Sequence, residues 1–134
     1  MNATREAPPA LNRELLERTL LRIGDHPEDW NQQTWATDDP SELPPGNECG
    51  TAFCMAGHAV LEAGGTIVWP DNAWRRTATR CNMPGRARYT PIVQAAREVL
   101  GLTQDEAAEL FAPCIYSYDE LADLVHAVIR GEFR

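Results

Sequence analysis

The C-terminal third of the chain restricts the fold more than any other part of the sequence. Three successive segments each begin at a capping residue and carry apolar residues at helical spacing. Thr103 and Ser117 are each followed three residues later by Glu, which is the pattern of a capping box. We therefore predict three consecutive helices, which cover residues 90–101, 103–111 and 117–131.

Two more helices are predicted upstream. Residues 10–23 carry a leucine stripe that Gly24 ends, and residues 51–63 carry a second stripe that ends at two glycines. The expected fold is therefore a mainly α, single compact domain of four or five helices. A minor β-hairpin around residues 66–88 is the only strand pairing we expect. Residues 1–9 form a loose N-terminal tail, and residues 10–134 form the helical domain.

Length and charge limit the class of protein. A chain of 134 residues fits one domain, and its formal net charge is −8 with arginine as the only basic residue type. This charge disfavours general binding to duplex nucleic acid, because phosphate neutralisation needs surplus basic residues. We find no signal peptide and no apolar run long enough to cross a membrane, and so we expect a cytoplasmic protein without a membrane contact.

A long acidic loop is predicted over residues 25–48. It contains seven acidic residues and four prolines, and these residues disfavour regular structure. Loops of this length are usually functional or held down by anchors. Trp30 and Trp35 are the expected anchors, and they are also candidates for contact with a partner.

The segment 49–59 is the one place where the sequence indicates possible chemistry. Gly50 allows a tight turn, Thr51 is an expected helix cap, and Gly57 indicates a close approach of another backbone. Cys54 is predicted in the first turns of the helix, where the helix dipole favours a thiolate. Together with Cys49, these residues form the structural motif that we expect to shape this part of the fold.

Three interpretations of this segment stay open. In the first, Cys49 and Cys54 are small buried residues, no cofactor is bound, and the motif serves packing alone. In the second, Cys49, Cys54 and His58 are zinc ligands, with Cys81 or Cys114 as the fourth. In the third, Cys54 is a nucleophile and His58, one helical turn further on, is its base.

An arginine-rich segment follows the predicted helix. Its basic residues lie between two aromatic residues, Trp74 and Tyr89, and this combination is typical of nucleic-acid binding. Pairing with the many acidic residues is the alternative, and the net charge favours it. The candidate contact residues are Trp74, Arg75, Arg76, Arg80, Arg86 and Arg88.

The motif CGTxxCxAGxA resembles one found in small uncharacterised proteins of actinobacteria and of the phages that infect them. The resemblance begins with Trp30 and the QTW sequence that ends at Trp35, and it extends to the LGLT and LF sequences of the C-terminal third. It implies no activity. It implies a host protein as the partner if the chain is encoded by a phage. His58 stands where that group often has Trp.

We expect a function in macromolecular interaction without enzymatic activity, because no recognisable catalytic motif is present. A protein is the expected partner. The alternative is a zinc-stabilised module that contacts nucleic acid through the arginine-rich segment. A cysteine-dependent enzyme is the third hypothesis.

Overall fold

Five α-helices and six short strands make up the part of the chain that the computed structural model describes, which is residues 9–71, 76–115 and 117–134. Two short 3-10 helices, Pro27–Asp29 and Pro40–Glu42, lie in the acidic loop. The helices are α1 (Arg13–Asp25), α2 (Met55–Glu62), α3 (Ile92–Leu100), α4 (Gln104–Leu110) and α5 (Tyr118–Ile129). The strands are β1 (Ala36–Thr37), β2 (Ala52–Phe53), β3 (Thr66–Val68), β4 (Thr77–Ala78), β5 (Arg80–Asn82) and β6 (Thr90–Pro91).

The prediction of a mainly α domain is wrong, because the strands form two three-stranded antiparallel sheets. The structure is 45% helix and 12% strand, and its class is therefore mixed α and β. The first sheet has the order β2-β1-β4, and its central strand lies inside the predicted loop. Ala36 is paired with Phe53 on one side and with Ala78 on the other.

The second sheet has the order β3-β5-β6, and it replaces the hairpin expected around residues 66–88. β3 and β5 are antiparallel, with Ile67 opposite Cys81. The chain between them also contributes β4 to the first sheet, and so this region joins two sheets instead of forming one hairpin. In β5 the central residue, Cys81, is buried and its two neighbours are exposed, as in a sheet with one solvated face.

α2 lies at the centre of the molecule. Its residues from Met55 to Val60 are all buried, and it packs against α1 and α3. These six consecutive residues cover every side of a helix, so the first part of α2 has no solvent face, and only its last residues, Leu61 and Glu62, are partly exposed. The other helices are amphipathic, and each adds one apolar stripe to a shared core that also includes residues of both sheets.

The starts of α4 and α5 agree with the sequence, whereas the predicted Thr90 cap of α3 is wrong, because Thr90 lies in β6 and α3 begins at Ile92. The capping box of α4 is confirmed, with the Glu106 backbone N–H donating to Thr103 Oγ1 at 3.1 Å. α1, however, continues through Gly24 to Asp25. α2 starts later than predicted, at Met55, so that Thr51 does not cap it and Cys54 is the N-cap residue.

A buried ion pair holds α4 against the rest of the molecule. The Glu106 side chain is fully buried, and its two carboxylate oxygens accept from Arg134 Nη2 at 2.7 Å and Nε at 2.9 Å. The same guanidinium donates to the backbone carbonyls of Pro9 and Gly101. Arg134 therefore links the C-terminal end of the described chain to Pro9 and to the segment from Gly101 to Glu106.

None of the helices in the described ranges has the length and apolar character needed to cross a bilayer.

Candidate functional site

The CGT sequence forms a turn that is held by a residue the sequence analysis missed, Asn47. Its side-chain amide donates to the carbonyl oxygens of Glu28 and Thr51, both at 2.8 Å. Its Oδ1 accepts from the Gly50 backbone N–H at 2.9 Å. Gly50 has a φ of 81°, a conformation that favours glycine. Asn47 therefore holds this turn through three hydrogen bonds to backbone groups of the protein.

The two cysteines of the motif have different environments. Cys49 is exposed, and its Sγ lies 3.2 Å from the Asp29 carboxylate and 3.3 Å from the Thr51 carbonyl oxygen. Cys54 is fully buried, with its Sγ 3.6 Å from the carbonyl oxygen of Trp35. Burial raises the pKa of the Cys54 thiol to about 11. This environment disfavours the thiolate that the third interpretation requires and is the one described by the first interpretation, in which Cys54 is a small buried residue.

His58 is buried beside the same turn. Its Nε2 is 3.0 Å from the carbonyl oxygen of Asp29, and its Nδ1 has no hydrogen-bond partner in the described part of the chain. The ring meets Phe53 edge-on, with 5.6 Å between the ring centroids. Burial lowers the pKa of His58 to about 4. His58 and Cys54 therefore contact different carbonyl groups, those of Asp29 and Trp35.

The proposed zinc ligands do not form a cluster. No three of Cys49, Cys54, His58 and Cys81 have donor atoms within 4.8 Å of one another, and all four lie in the described residues. Cys81 is buried and contacts the Thr90 carbonyl oxygen at 3.4 Å, and the alternative fourth ligand, Cys114, is exposed. Within the described ranges, three donor atoms come within that distance only at the surface group His26, Glu28 and Asp29.

The close backbone approach predicted at Gly57 is confirmed. A Cβ atom at Gly57 would lie 2.7 Å from the carbonyl oxygen of Trp35 and 2.9 Å from Phe53 Cβ. The contacting groups thus belong to β2 and to the residue before β1, so the glycine allows α2 to lie directly against the first sheet.

The arginine-rich segment is partly neutralised by acidic residues. Arg76 Nε donates to the Asp38 carboxylate at 2.7 Å, and its guanidinium lies 5.0 Å from the centre of the Trp69 ring. A hydrogen bond from the Arg76 backbone N–H and a second one from its side chain lower the pKa of Asp38. Arg86 pairs with Glu98.

Two other arginines of this segment, Arg80 and Arg88, are exposed. Neither has an ion-pair partner among the residues that the structure describes. The remaining candidates of the segment, Trp74 and Arg75, lie outside the described residues.

Both tryptophans of the acidic loop are half-buried against the core, as expected for anchors. Trp30 Nε1 donates to Gln32 Oε1 at 3.0 Å. Gln32 in turn donates to the Leu110 carbonyl oxygen and accepts from the Met55 backbone N–H. The loop is thereby tied to both α2 and α4.

Trp35 also lines a groove between α3 and α4, and this is the strongest candidate for a functional site. The groove has a volume of about 630 Å³, and its lining surface is mostly apolar. Phe111 and the alanines of α4 form one wall, and the polar lining residues are Gln94, Arg97 and Gln104. The full lining consists of Trp35, Pro91, Val93, Gln94, Arg97, Gln104, Ala107, Ala108, Phe111, Ala112 and Pro113.

The sequence analysis missed the groove, although the signal was present. Groove-lining residues recur in the sequence at positions 104, 107, 108, 111 and 112, in α4 and just after it, which is the spacing of a helix face. The same spacing also predicts a core face, and the sequence does not distinguish the two. Only the structure, in which Trp35 lines the same groove, shows that part of this face is a groove wall.

Comparison of the chain with protein-family models, with curated proteins and with solved structures gave no match.

Proposed function

We propose that this protein acts by binding a partner protein in the apolar groove between α3 and α4. The observation that carries the proposal is the apolar lining of a groove of about 630 Å³. Apolar grooves are a recurring docking site for the apolar face of a partner helix. Concave apolar surfaces with a few polar groups are the usual form of a binding site.

The structure of the groove supports a protein partner more than a nucleic acid. Its walls contain one charged residue, Arg97, and a groove of this type offers little for phosphate groups. The arginine-rich segment, which carried the alternative hypothesis, has two of its charges paired with Asp38 and Glu98. The net charge of −8 disfavours the alternative further.

We further propose that this interaction takes place in the cytoplasm and involves no enzymatic step by this chain. The resemblance to actinobacterial and actinophage proteins leads us to propose a host protein as the partner of a phage-encoded chain. The motif that carries the resemblance would then support the fold that presents the groove, because its polar groups are bonded within the protein.

Blocking the groove tests this proposal. Ala108 is an exposed residue of the α4 wall, and Ala108→Arg would place a long charged side chain in the groove. A partner is captured from lysate of the host cell and purified, and its affinity for each variant is measured by calorimetry. We expect Ala108→Arg to weaken binding by more than about tenfold, as for the loss of a central contact.

Ala87→Arg is the matched control, because Ala87 is exposed and lies outside the groove lining. It should bind within about twofold of the unchanged protein, as expected for a peripheral residue. Circular dichroism should show that both variants are folded. Equal affinity of Ala108→Arg and the control would overturn the proposal, as would the absence of any partner captured in stoichiometric amount.

A further inference from the structure

We infer that the groove binds an amphipathic helix with acidic residues along the flank that faces α3 and basic residues along the flank that faces α4. This inference rests on the proposed function, because it names the kind of segment that would occupy the groove. It is carried by the charges at the two rims together with the spacing of the small residues on α4.

The α4 wall is suited to close contact with a helix. Three of its lining residues are alanines, Ala107, Ala108 and Ala112, so that the backbone of a partner can approach closely. The seven residues of α4 extend for about 10 Å at the rise of an α-helix, and Phe111 and Ala112 continue the wall beyond the end of the helix. This length corresponds to about two turns of a partner helix, with apolar contacts at intervals of three or four residues.

The rim on the α3 side is positive. Arg97 lines the groove and forms no ion pair with an acidic side chain among the residues that the structure describes. The neighbouring acid Glu98 is paired with Arg86, and hydrogen bonds from Arg86 and Gln94 lower the pKa of Glu98, with a smaller contribution from the charge of Arg97. Arg97 is therefore the charged side chain that the α3 wall contributes to the groove.

The rim on the α4 side is negative. Asp105 and Glu109 each follow a lining residue, Gln104 and Ala108, and their helical positions lie on the outer side of the lining stripe. Both side chains belong to exposed residues, and neither has a cationic partner in the described ranges. No basic residue is present in α4 to neutralise them.

Opposite charges on the two rims would determine the direction of the bound helix. A helix with acidic and basic flanks meets complementary charges in one orientation. Turned end for end, the same helix would place its acidic flank beside Asp105 and Glu109, and like charges at an interface are unfavourable. The apolar walls would provide most of the affinity, and the rims would select the orientation.

A display experiment tests this inference without knowledge of the natural partner. The probe is a yeast-displayed library of amphipathic helices of about 15 residues, near the minimum for a stable isolated helix. Each member carries leucines at helical spacing, with Glu, Lys or Gln at random along the two flanks. The library is selected for binding to the unchanged protein, to Ala108→Arg, and to a charge-reversed variant with Arg97→Glu, Asp105→Lys and Glu109→Lys.

We expect the unchanged protein to enrich helices with Glu on one flank and Lys on the other. The charge-reversed variant should enrich the opposite arrangement, and exchange of the two selected helices should weaken binding by about three- to tenfold. The blocked variant Ala108→Arg should enrich none of them. Binding should weaken as the salt concentration rises, because the rim charges are exposed.

The outcomes separate this inference from the proposed function. The unchanged protein could enrich helices that Ala108→Arg does not enrich, but with no preference for the charge of the flanks. This result would overturn the inference and leave the groove as a binding site. Equal enrichment by the unchanged and blocked proteins would overturn both. Sedimentation experiments show whether the protein associates with itself. Self-association that is abolished by Ala108→Arg would overturn the inference, because a second copy of the chain would then occupy the groove.

Discussion

The turn around Asn47 and the groove between α3 and α4 differ in whether their surface groups are contacted by the protein itself. In the turn, one amide side chain satisfies the carbonyl oxygens of Glu28 and Thr51 and the backbone N–H of Gly50. In the groove, Trp35 and Phe111 line a concave surface that nothing in the described chain fills. The turn thus has its contacts within the protein, whereas the groove has apolar surface available for another molecule.

A distinctive sequence motif and a surface that is open to another molecule therefore need not lie in the same part of the protein. The CGTxxC motif attracts attention because cysteine and histidine are reactive residue types. Cys54 and His58 are nevertheless buried and uncharged near neutral pH. Apart from Trp35, the groove is lined largely by alanine, valine and proline, residue types that do not by themselves indicate a site in a sequence. Substitutions in the two regions should therefore affect different properties, stability in one and binding in the other.

The largest effect on stability should come from the ion pair that supports α4. Arg134→Met leaves the fully buried Glu106 carboxylate without its cation. We expect a loss of about 3 kcal/mol in the free energy of unfolding at pH 7, at the low end for buried pairs because Arg134 is partly exposed. Urea denaturation measures this loss. Binding in the groove should also weaken, because α4 forms one of its walls.

The loss of stability caused by Arg134→Met should become smaller as the pH falls. Burial alone would raise the pKa of Glu106, but the hydrogen bonds from Arg134 and from the Thr103 backbone outweigh it and lower the pKa. The contribution of the pair is therefore present above the unfolded carboxyl pKa of about 4.3 and is lost as the pH falls through the lower folded value. Glu106→Gln is the control, since its amide oxygen can still accept from the Thr103 backbone N–H, whereas the titrating charge and one acceptor for Arg134 are removed. A gap between unchanged protein and Arg134→Met that stays constant down to low pH would contradict this account.

Acid should destabilise the region of the turn through His58. Its pKa is about 4 in the folded protein against 6.5 in the unfolded chain, so that only the unfolded state takes up a proton between these values. The stabilisation is complete above pH 6.5, and about 3 kcal/mol is lost as the pH falls to 4. We expect His58→Phe to show a smaller loss of stability from pH 7 to pH 4.

His126→Gln is the matched control for this measurement, because His126 is exposed on α5. It should retain the full pH dependence of the unchanged protein in urea denaturation. An identical loss of stability in His58→Phe and in the control would show that other groups account for the acid sensitivity.

Gly57→Ala should destabilise the contact between α2 and the first sheet. An added Cβ would lie 2.7 Å from a backbone oxygen, which has little freedom to move. We expect a loss of about 1–3 kcal/mol from overpacking, although alanine is the better helix former. Gly24→Ala is the control, because its Cβ would meet only the Tyr118 side chain. Thermal melts that show equal effects at the two positions would contradict the interpretation of Gly57 as a packing position.

The smallest effect should be seen in the reactivity of the thiols. Cys49 and Cys114 are exposed, whereas Cys54 and Cys81 are buried with raised pKa values. A disulfide reagent should therefore modify two thiols rapidly in the native protein and all four after denaturation. Cys49→Ser should leave one rapid thiol. Bound zinc together with protection of Cys49 would instead support the zinc hypothesis.

Local signals allowed part of the fold to be predicted. The capping box of α4, the Ser117 cap of α5 and the left-handed Gly101 after α3 all depend on residues within a few positions of one another. These contacts form within a single segment, and the sequence records them directly. The helices of the C-terminal third could therefore be placed with small errors at their ends.

The sheets and the candidate site depend on distant residues and could not be predicted. β1 contains two residues, which is too short to show an alternating pattern, and its partners lie about 16 and 40 residues further along the chain. The Arg76–Asp38 pair and the contact of Gly57 with Trp35 also join residues that are far apart in the sequence. The groove requires Trp35 to meet α3 and α4, which no local pattern of the loop indicates.

The bond between Arg134 and Pro9 has a kinetic consequence. It joins residues that are 125 positions apart, so its formation closes a very long loop at a cost in chain entropy. We therefore predict that it forms after the rate-limiting step of folding, and in that case its strength appears in the rate of unfolding. We therefore expect the guanidinium of Arg134 to have little influence on how fast the protein folds and a large influence on the lifetime of the native state.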